Sequence, residues 1–175
     1  MKKTICTVFC FVVVFYLFPV TSFANNFSDN AISVFQELRK LEQESREAFM
    51  SGDMNFNNEK GKLLAAIKSE YDRILRSLPK EYCAAPQIDL LKEYIKTLIS
   101  TNDEYPSYVF AELYACHPDM VKKEILSLEL EDQKKIVENL DWGFKNIAYK
   151  VESLPNYKEL KEQLKKLKSK IRSKK

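Results

Sequence analysis

The chain has 175 residues, with 28 Lys/Arg against 25 Asp/Glu, a net charge of +3, three glycines and a single histidine. That length supports one domain with a core of its own. The near-balanced charge excludes a uniformly basic nucleic-acid binder, and Gly52, Gly61 and Gly143 lie too far apart for a loop that cradles phosphates or dinucleotides.

Taken in chain order, Met1-Lys2-Lys3 is a short basic start, and Ile5 to Val20 is an uncharged apolar run. Ser22-Phe23-Ala24 then supplies small residues either side of Phe23, as a cleavage site requires. This is the three-part pattern of a secretory signal peptide over residues 1–24, removed after Ala24. An uncleaved inner-membrane anchor is the alternative, since about 20 apolar residues suffice to span a bilayer. Neither Cys6 nor Cys10 sits among small residues at the end of the run, so no lipid attachment is expected. The expected location is periplasmic or secreted, with residues 25–175 as a single helical domain.

Removal of the leader changes the arithmetic of charge and sulfur. Residues 157–175 carry nine Lys/Arg against two Glu, a local charge of +7. Residues 25–156 carry 17 Lys/Arg against 23 Asp/Glu, a charge of −6. An acidic body thus bears a basic tail. Of four cysteines only Cys83 and Cys116 remain, and an even pair in an exported chain reads as a disulfide. Closing a loop of 32 intervening residues is worth roughly 3–4 kcal/mol in the chain-entropy model.

Helical periodicity and stop signals predict an all-α fold of about seven helices. The first runs from about Asp29 to Met50, with Ala31, Val34, Phe35, Leu38, Leu41, Ala48 and Phe49 inward and Gly52 suited to its C′ position. The second runs from about Asn58 to Leu78, with Leu63, Leu64, Ile67, Tyr71, Ile74, Leu75 and Leu78 on one face, and Pro79 is expected to end it. A short polar loop joins the two, which favours a long antiparallel hairpin. Pro79 to Gln87, with Cys83, is expected as a connector.

A third helix follows over about 86–100, with Ile88, Leu91, Ile95, Leu98 and Ile99 inward, then a turn at Thr101 to Tyr105. Pro106 and Pro118 suit the first turns of short helices at about 106–116 and 118–128. A sixth helix, about 131–150, turns Ile136, Val137, Leu140, Phe144 and Ile147 inward, and Pro155 opens a seventh that runs to the C-terminus. The cluster of short helices resembles α-solenoids such as HEAT-type repeats in style, without a self-match at a period of about 30–45 residues.

Several chemistries find no residues. One histidine rules out a two-His zinc motif, and paired cysteines leave no ordinary zinc site. No EF-hand spacing occurs, and no cofactor or metal is expected. His117, between Cys116 and Pro118, reads as a cap or turn residue rather than a general base. Carboxylate pairs leave no spacing signature, so a carboxylate-based hydrolase acting on envelope glycan stays open. Gln43-Glu44-Ser45 resembles the surroundings of the catalytic acid in soluble lytic transglycosylases, which cleave peptidoglycan. The resemblance covers three residues, and the Gly-rich and Leu-Met-Gln stretches of that family do not follow. Glu44 falls on the polar face of its helix and reads as solvated.

The features left to carry function are the tail and the aromatic residues. Tyr157, Leu160, Leu164, Leu167 and Ile171 form a narrow seam suited to one partner helix, flanked by lysines that include Lys165 and Lys166. Its expected roles are a helix docked on the acidic body, a partner-binding helix, or a helix at a membrane surface through residues 157–175. Tyr82, Tyr94, Tyr105, Tyr108, Phe110, Tyr114, Trp142, Phe144 and Tyr149 concentrate in one stretch. Most should fill core, while Tyr105, Tyr108 and Phe110 could line a groove. Trp142-Gly143-Phe144 offers a close helix contact at Gly143. The functional expectation is a non-enzymatic exported protein that binds another macromolecule in the cell envelope, as an inhibitor, immunity or adaptor protein would. The partner expected is a protein, not nucleic acid. A small apolar-ligand carrier is a further alternative.

Overall fold

The computed structural model describes residues 20–52, 59–100, 104–147, 150, 152 and 154–174. Among them are seven helices and no strand: α1 Val20–Ser51, α2 Lys60–Ala84, α3 Ile88–Ser100, α4 Tyr105–Cys116, α5 Pro118–Leu126, α6 Leu130–Asn146 and α7 Tyr157–Arg172. The fold is all-α. The signal peptide expected over residues 1–24 lies outside the described residues, except that the backbone is helical from Val20 onward. Tyr149 and residues 101–103 of the expected turn lie outside them too. No described helix is long and apolar enough to cross a membrane.

The centre of the molecule is α4. It is apolar on nearly every side, and such a helix is stable only when surrounded. Val109, Phe110, Ala111, Leu113 and Tyr114 are all buried. The ring of Phe110 touches Tyr94 of α3, which touches Phe35 of α1, which touches Tyr71 of α2. On the other side Tyr114 meets Phe144 of α6, and Phe144 meets Tyr157 of α7. Two buried phenols find backbone acceptors. Tyr94 donates to the Pro106 carbonyl at 2.5 Å, and Tyr114 to the Leu160 carbonyl at 3.0 Å.

Against α4, α6 packs without a side chain between the backbones. A Cβ built on Gly143 would lie 2.1 Å from the Ser107 carbonyl oxygen and 3.3 Å from the Ala111 Cβ. Only glycine fits there, as the Trp142-Gly143-Phe144 step leads one to expect. Beside it Trp142 stacks on Tyr108 at 5.0 Å. Gly52 uses the freedom of glycine differently, since its φ of 73° lies in the left-handed region at the end of α1.

α1 joins α2 through Glu42–Lys68 and Glu44–Lys60 ion pairs, the latter at 2.7 Å. It joins α3 through Arg39, which reaches the Glu93 carboxylate, the Glu93 carbonyl at 3.0 Å and the buried Thr97 hydroxyl at 2.8 Å. The expected Cys83–Cys116 bridge is formed, with a Cα–Cα distance of 5.6 Å. It ties the last turn of α2 to the last residue of α4. His117 lies beside it, its Nε2 3.2 Å from the Cys83 carbonyl and its ring edge-on to Tyr82.

Three local expectations are corrected. Pro79 does not end the second helix; α2 continues through it to Ala84, so Cys83 is helical and not part of a connector. Interior proline costs about 3 kcal/mol. The stripe Leu75, Leu78, Tyr82 continues across it, and all three are fully buried. Burying Tyr82 and closing the disulfide both require the extra turn. Phe49, Leu63 and Ile88 do not point inward: they are 85 %, 46 % and 37 % exposed. Their helices carry the apolar rhythm past the point where a neighbour covers it. α6 ends at Asn146, earlier than expected, with the Ile147 N–H closing on the Gly143 carbonyl.

Candidate interaction groove between the last two helices

The seam of α7 docks as its spacing demands. Leu160, Leu164, Leu167 and Ile171 are buried, and Tyr157 lies parallel to Phe144 with centroids 5.7 Å apart. One position after each seam residue stands a basic one: Lys158, Lys161, Lys165, Lys168 and Arg172. The spacing of 3 and 4 puts these five on one edge of the helix, parallel to the seam.

The two halves of that basic edge meet different neighbours. In the C-terminal half Lys168 bonds Glu138 at 2.7 Å and also Asp141, and Arg172 bonds Glu138 at 2.7 Å. Burial works against the charges of Glu138 and Asp141. The Lys168 ammonium, with Arg172 on Glu138 and Lys145 on Asp141, outweighs it and holds both carboxyls below their ordinary values. Burial likewise opposes the charge of Lys168, and its two carboxylate partners raise it nonetheless. Across the helix, Lys122 of α5 reaches Gln163 at 2.9 Å and Lys174 reaches Gln133 at 2.9 Å.

In the N-terminal half the match stops. One turn on from Asp141, α6 presents Lys145 in place of an acid. Between the helices there lies a groove of about 540 Å³. Phe144, Tyr157 and Leu164 line it, with Lys145, Lys161, Lys165, Glu152 and Glu162, and the Asp141–Lys168 pair lines it too. Lys145 is held by Asp141 at 2.9 Å, and Lys161 lies 5.8 Å above the Tyr157 ring. Lys165 is exposed and makes no ion pair among the described residues.

The sequence-predicted surface therefore divides. Phe110, Leu160, Leu164 and Leu167 are core. Tyr105 is 41 % exposed at the start of α4, and Tyr108 is half-buried against Trp142. Lys165 and Lys166 are both exposed, but only Lys165 faces the groove. Sequence reasoning missed Lys145 and the acids Glu138 and Asp141. The signal available was a sign change along one face of α6, where residues 138, 141 and 145 read Glu, Asp, Lys.

Three carboxylates elsewhere are tuned toward the charged form. The hydrogen bond from Lys60 lowers Glu44, and Arg73 with Asn30 pulls Glu70 down to about 2. Glu93 is opposed by burial but lowered overall by Lys96 and Arg39. A general acid needs the reverse shift. Among the described residues no three His, Cys, Asp or Glu side chains cluster as metal ligands would. No family model, curated protein or solved structure matches the chain, so its function is argued from its own residues.

Proposed function

We propose that the protein works outside the cytoplasm by binding another protein, without catalysis, in the manner of an inhibitor, immunity or adaptor protein. The groove between α6 and α7 is the docking site, and an acidic segment with apolar side chains is its occupant. One observation carries this reading: α6 pairs the basic edge of α7 at Lys168 and Arg172, while Lys161 and Lys165, beside a groove that Tyr157 lines, make no ion pair among the described residues. A partner carboxylate near Lys161 and Lys165 would complete the series that Glu138 and Asp141 begin. An apolar side chain would cover the half-buried Tyr157. Aromatic side chains ringed by charge are where interface energy concentrates.

A membrane-surface role for residues 157–175 is less well supported. A helix lying on lipid inserts its apolar face, and here that face is spent in the core. The Cys83–Cys116 bridge agrees with an oxidising compartment, as does the leader pattern read over residues 1–24.

The test is capture from envelope extract on the immobilised protein, beside a K161E/K165E variant. A stoichiometric protein retained by the first and lost by the second is the expected result. Retention of lipid or glycan alone, or equal retention by both, overturns the reading.

A further inference from the structure

A second cleft, of about 180 Å³, lies between α3 and the end of α5. Lys92, Ile95 and Lys96 line it from α3, and Glu124, Ser127 and Leu128 from the opposite wall. Glu124 is only 5 % exposed. What little of it is exposed includes its carboxylate oxygens, which are not among the buried polar atoms left without a partner and so open to the cleft's solvent. Among the described residues its carboxylate makes no hydrogen bond and no ion pair.

The neighbouring donors are engaged elsewhere. Lys96 bonds Glu93 at 2.6 Å, and Glu93 is also held by Arg39. Lys92 lies 3.7 Å from Asp89. The Ser127 hydroxyl donates to the main-chain carbonyl of Glu124 at 2.8 Å, and the Tyr82 phenol to the Met120 sulfur at 3.0 Å. So both signs of charge line one cleft without bonding each other, with Ile95 and Leu128 as apolar wall between them. A bare amine entering would meet two ammonium groups, and a bare carboxylate would meet Glu124. A molecule carrying both charged groups on one carbon answers both walls at once. The volume corresponds to about six waters of bulk liquid, enough for a molecule of amino-acid size.

We propose that this cleft binds a small zwitterion of the α-amino-acid type, its ammonium on Glu124, its carboxylate toward Lys92 and Lys96, and its aliphatic part along Ile95 and Leu128. The ligand class is independent of the protein partner proposed above. A free amino acid and an amino-acid head linked through its side chain share this chemistry.

The experiment is calorimetric titration of the exported, disulfide-bonded protein with four probes: leucine, Nε-acetyl-lysine, 3-methylbutylamine and 4-methylpentanoate. Leucine or Nε-acetyl-lysine should bind, and which of them binds tells a free amino acid from a side-chain-linked head. The two probes with a single charge should bind about tenfold more weakly or not at all. Glu124→Gln should weaken the zwitterion by about tenfold or more, with a thermal midpoint no lower than that of the parent. A double K92M/K96M variant should weaken the zwitterion and strengthen the amine, whose repulsion by the two ammonium groups it removes. Unchanged affinity in Glu124→Gln, equal binding of the amine, or no binding of either zwitterion in the millimolar range overturns the proposal. So does a lowered midpoint in Glu124→Gln, which would show that the carboxylate is held by the fold.

Discussion

Two of the helix contacts that α6 makes are opposite in character. Against α4 it leaves no room at Gly143, where a single methyl group would strike the Ser107 carbonyl. Against α7 it is held by an aliphatic seam and a row of ion pairs that runs out after Asp141. The first contact is fixed by volume and has one arrangement. The second adds charge pairs to its buried seam, so pH, salt and a charged partner can all act on it. The groove proposed as the docking site lies beside the second contact.

The largest expected effect breaks the first contact. Gly143→Ala gains about 1 kcal/mol of helix propensity but forces two backbones apart. Overpacking and the loss of the Tyr108–Trp142 stack beside it should win, for a net loss of about 3–4 kcal/mol. At about 2–4 °C per kcal/mol for a chain of this size, the thermal midpoint should fall by roughly 6–16 °C. The near-ultraviolet circular dichroism of Trp142, the one tryptophan, should flatten with it. A midpoint within a degree of the parent would show that the helices separate at little cost and that the contrast between the two contacts is false.

Next in size is the double substitution C83S/C116S, expected to cost about 3 kcal/mol. Cys116 ends α4 two residues after Tyr114, whose phenol bonds the Leu160 carbonyl of α7. The bridge therefore steadies the platform beneath both contacts. Denaturant midpoints with and without reductant measure its share. An equal midpoint in the two states would detach the bridge from the stability of the domain.

How far these features are legible in the sequence follows the same division. Contacts that repeat along one helix leave a rhythm, so the seam at Leu160, Leu164, Leu167 and Ile171 can be read and is buried. The Gly143 approach and the Cys83–Cys116 pair are legible because glycine and cysteine have few other reasons to stand where they do. Pro79 misleads because its local rule is sound and its tertiary setting is not visible: Tyr82 and Cys83 hold α2 together beyond it. Phe49 and Leu63 mislead for the complementary reason, a rhythm that outlasts its neighbour. Glu124 stands next to buried Ile125 and three residues after buried Val121. That position is on or beside an apolar face, and only the packing of α3 shows that it is enclosed. The partners of Lys168 lie 27 and 30 positions earlier in the chain, and no local pattern records such a pairing.

A smaller effect tests the charge-matched half of the second contact. Lys168→Met keeps the stem and removes the ammonium between Glu138 and Asp141, at a cost of about 1 kcal/mol given their partial exposure. The pH profile carries the same information. Glu138 and Asp141 have folded values below their unfolded ones, so their contribution is whole above about pH 5 and is lost as pH falls below about 4. Lys168 has a folded value above its unfolded one, so its contribution is whole below about pH 10 and is lost as pH rises beyond it. Stability should be flat between these limits and decline at both ends, and Lys168→Met should flatten both declines. A parent and variant with parallel profiles would mean that the ion pairs do not hold α7.

The smallest effect on the fold belongs to the unmatched half. Lys165→Glu removes an exposed ammonium that has no ion pair among the described residues. Thermal stability should stay within about 0.5 kcal/mol of the parent. Lys161→Glu should cost slightly more, because its ammonium lies over the Tyr157 ring, a contact worth about 0.5–1 kcal/mol when exposed. Capture of the partner should respond in the opposite order of magnitude, with both substitutions reducing it strongly. Reversing a charge opposite an acidic segment replaces attraction with repulsion, and such juxtapositions cost several kcal/mol in a complex. A residue that contributes almost nothing to the fold and decides binding is what an unmatched half would supply. If Lys165→Glu were instead as destabilising as Lys168→Met, the basic edge would be a structural element along its whole length, and the groove would lose its claim to be the binding site.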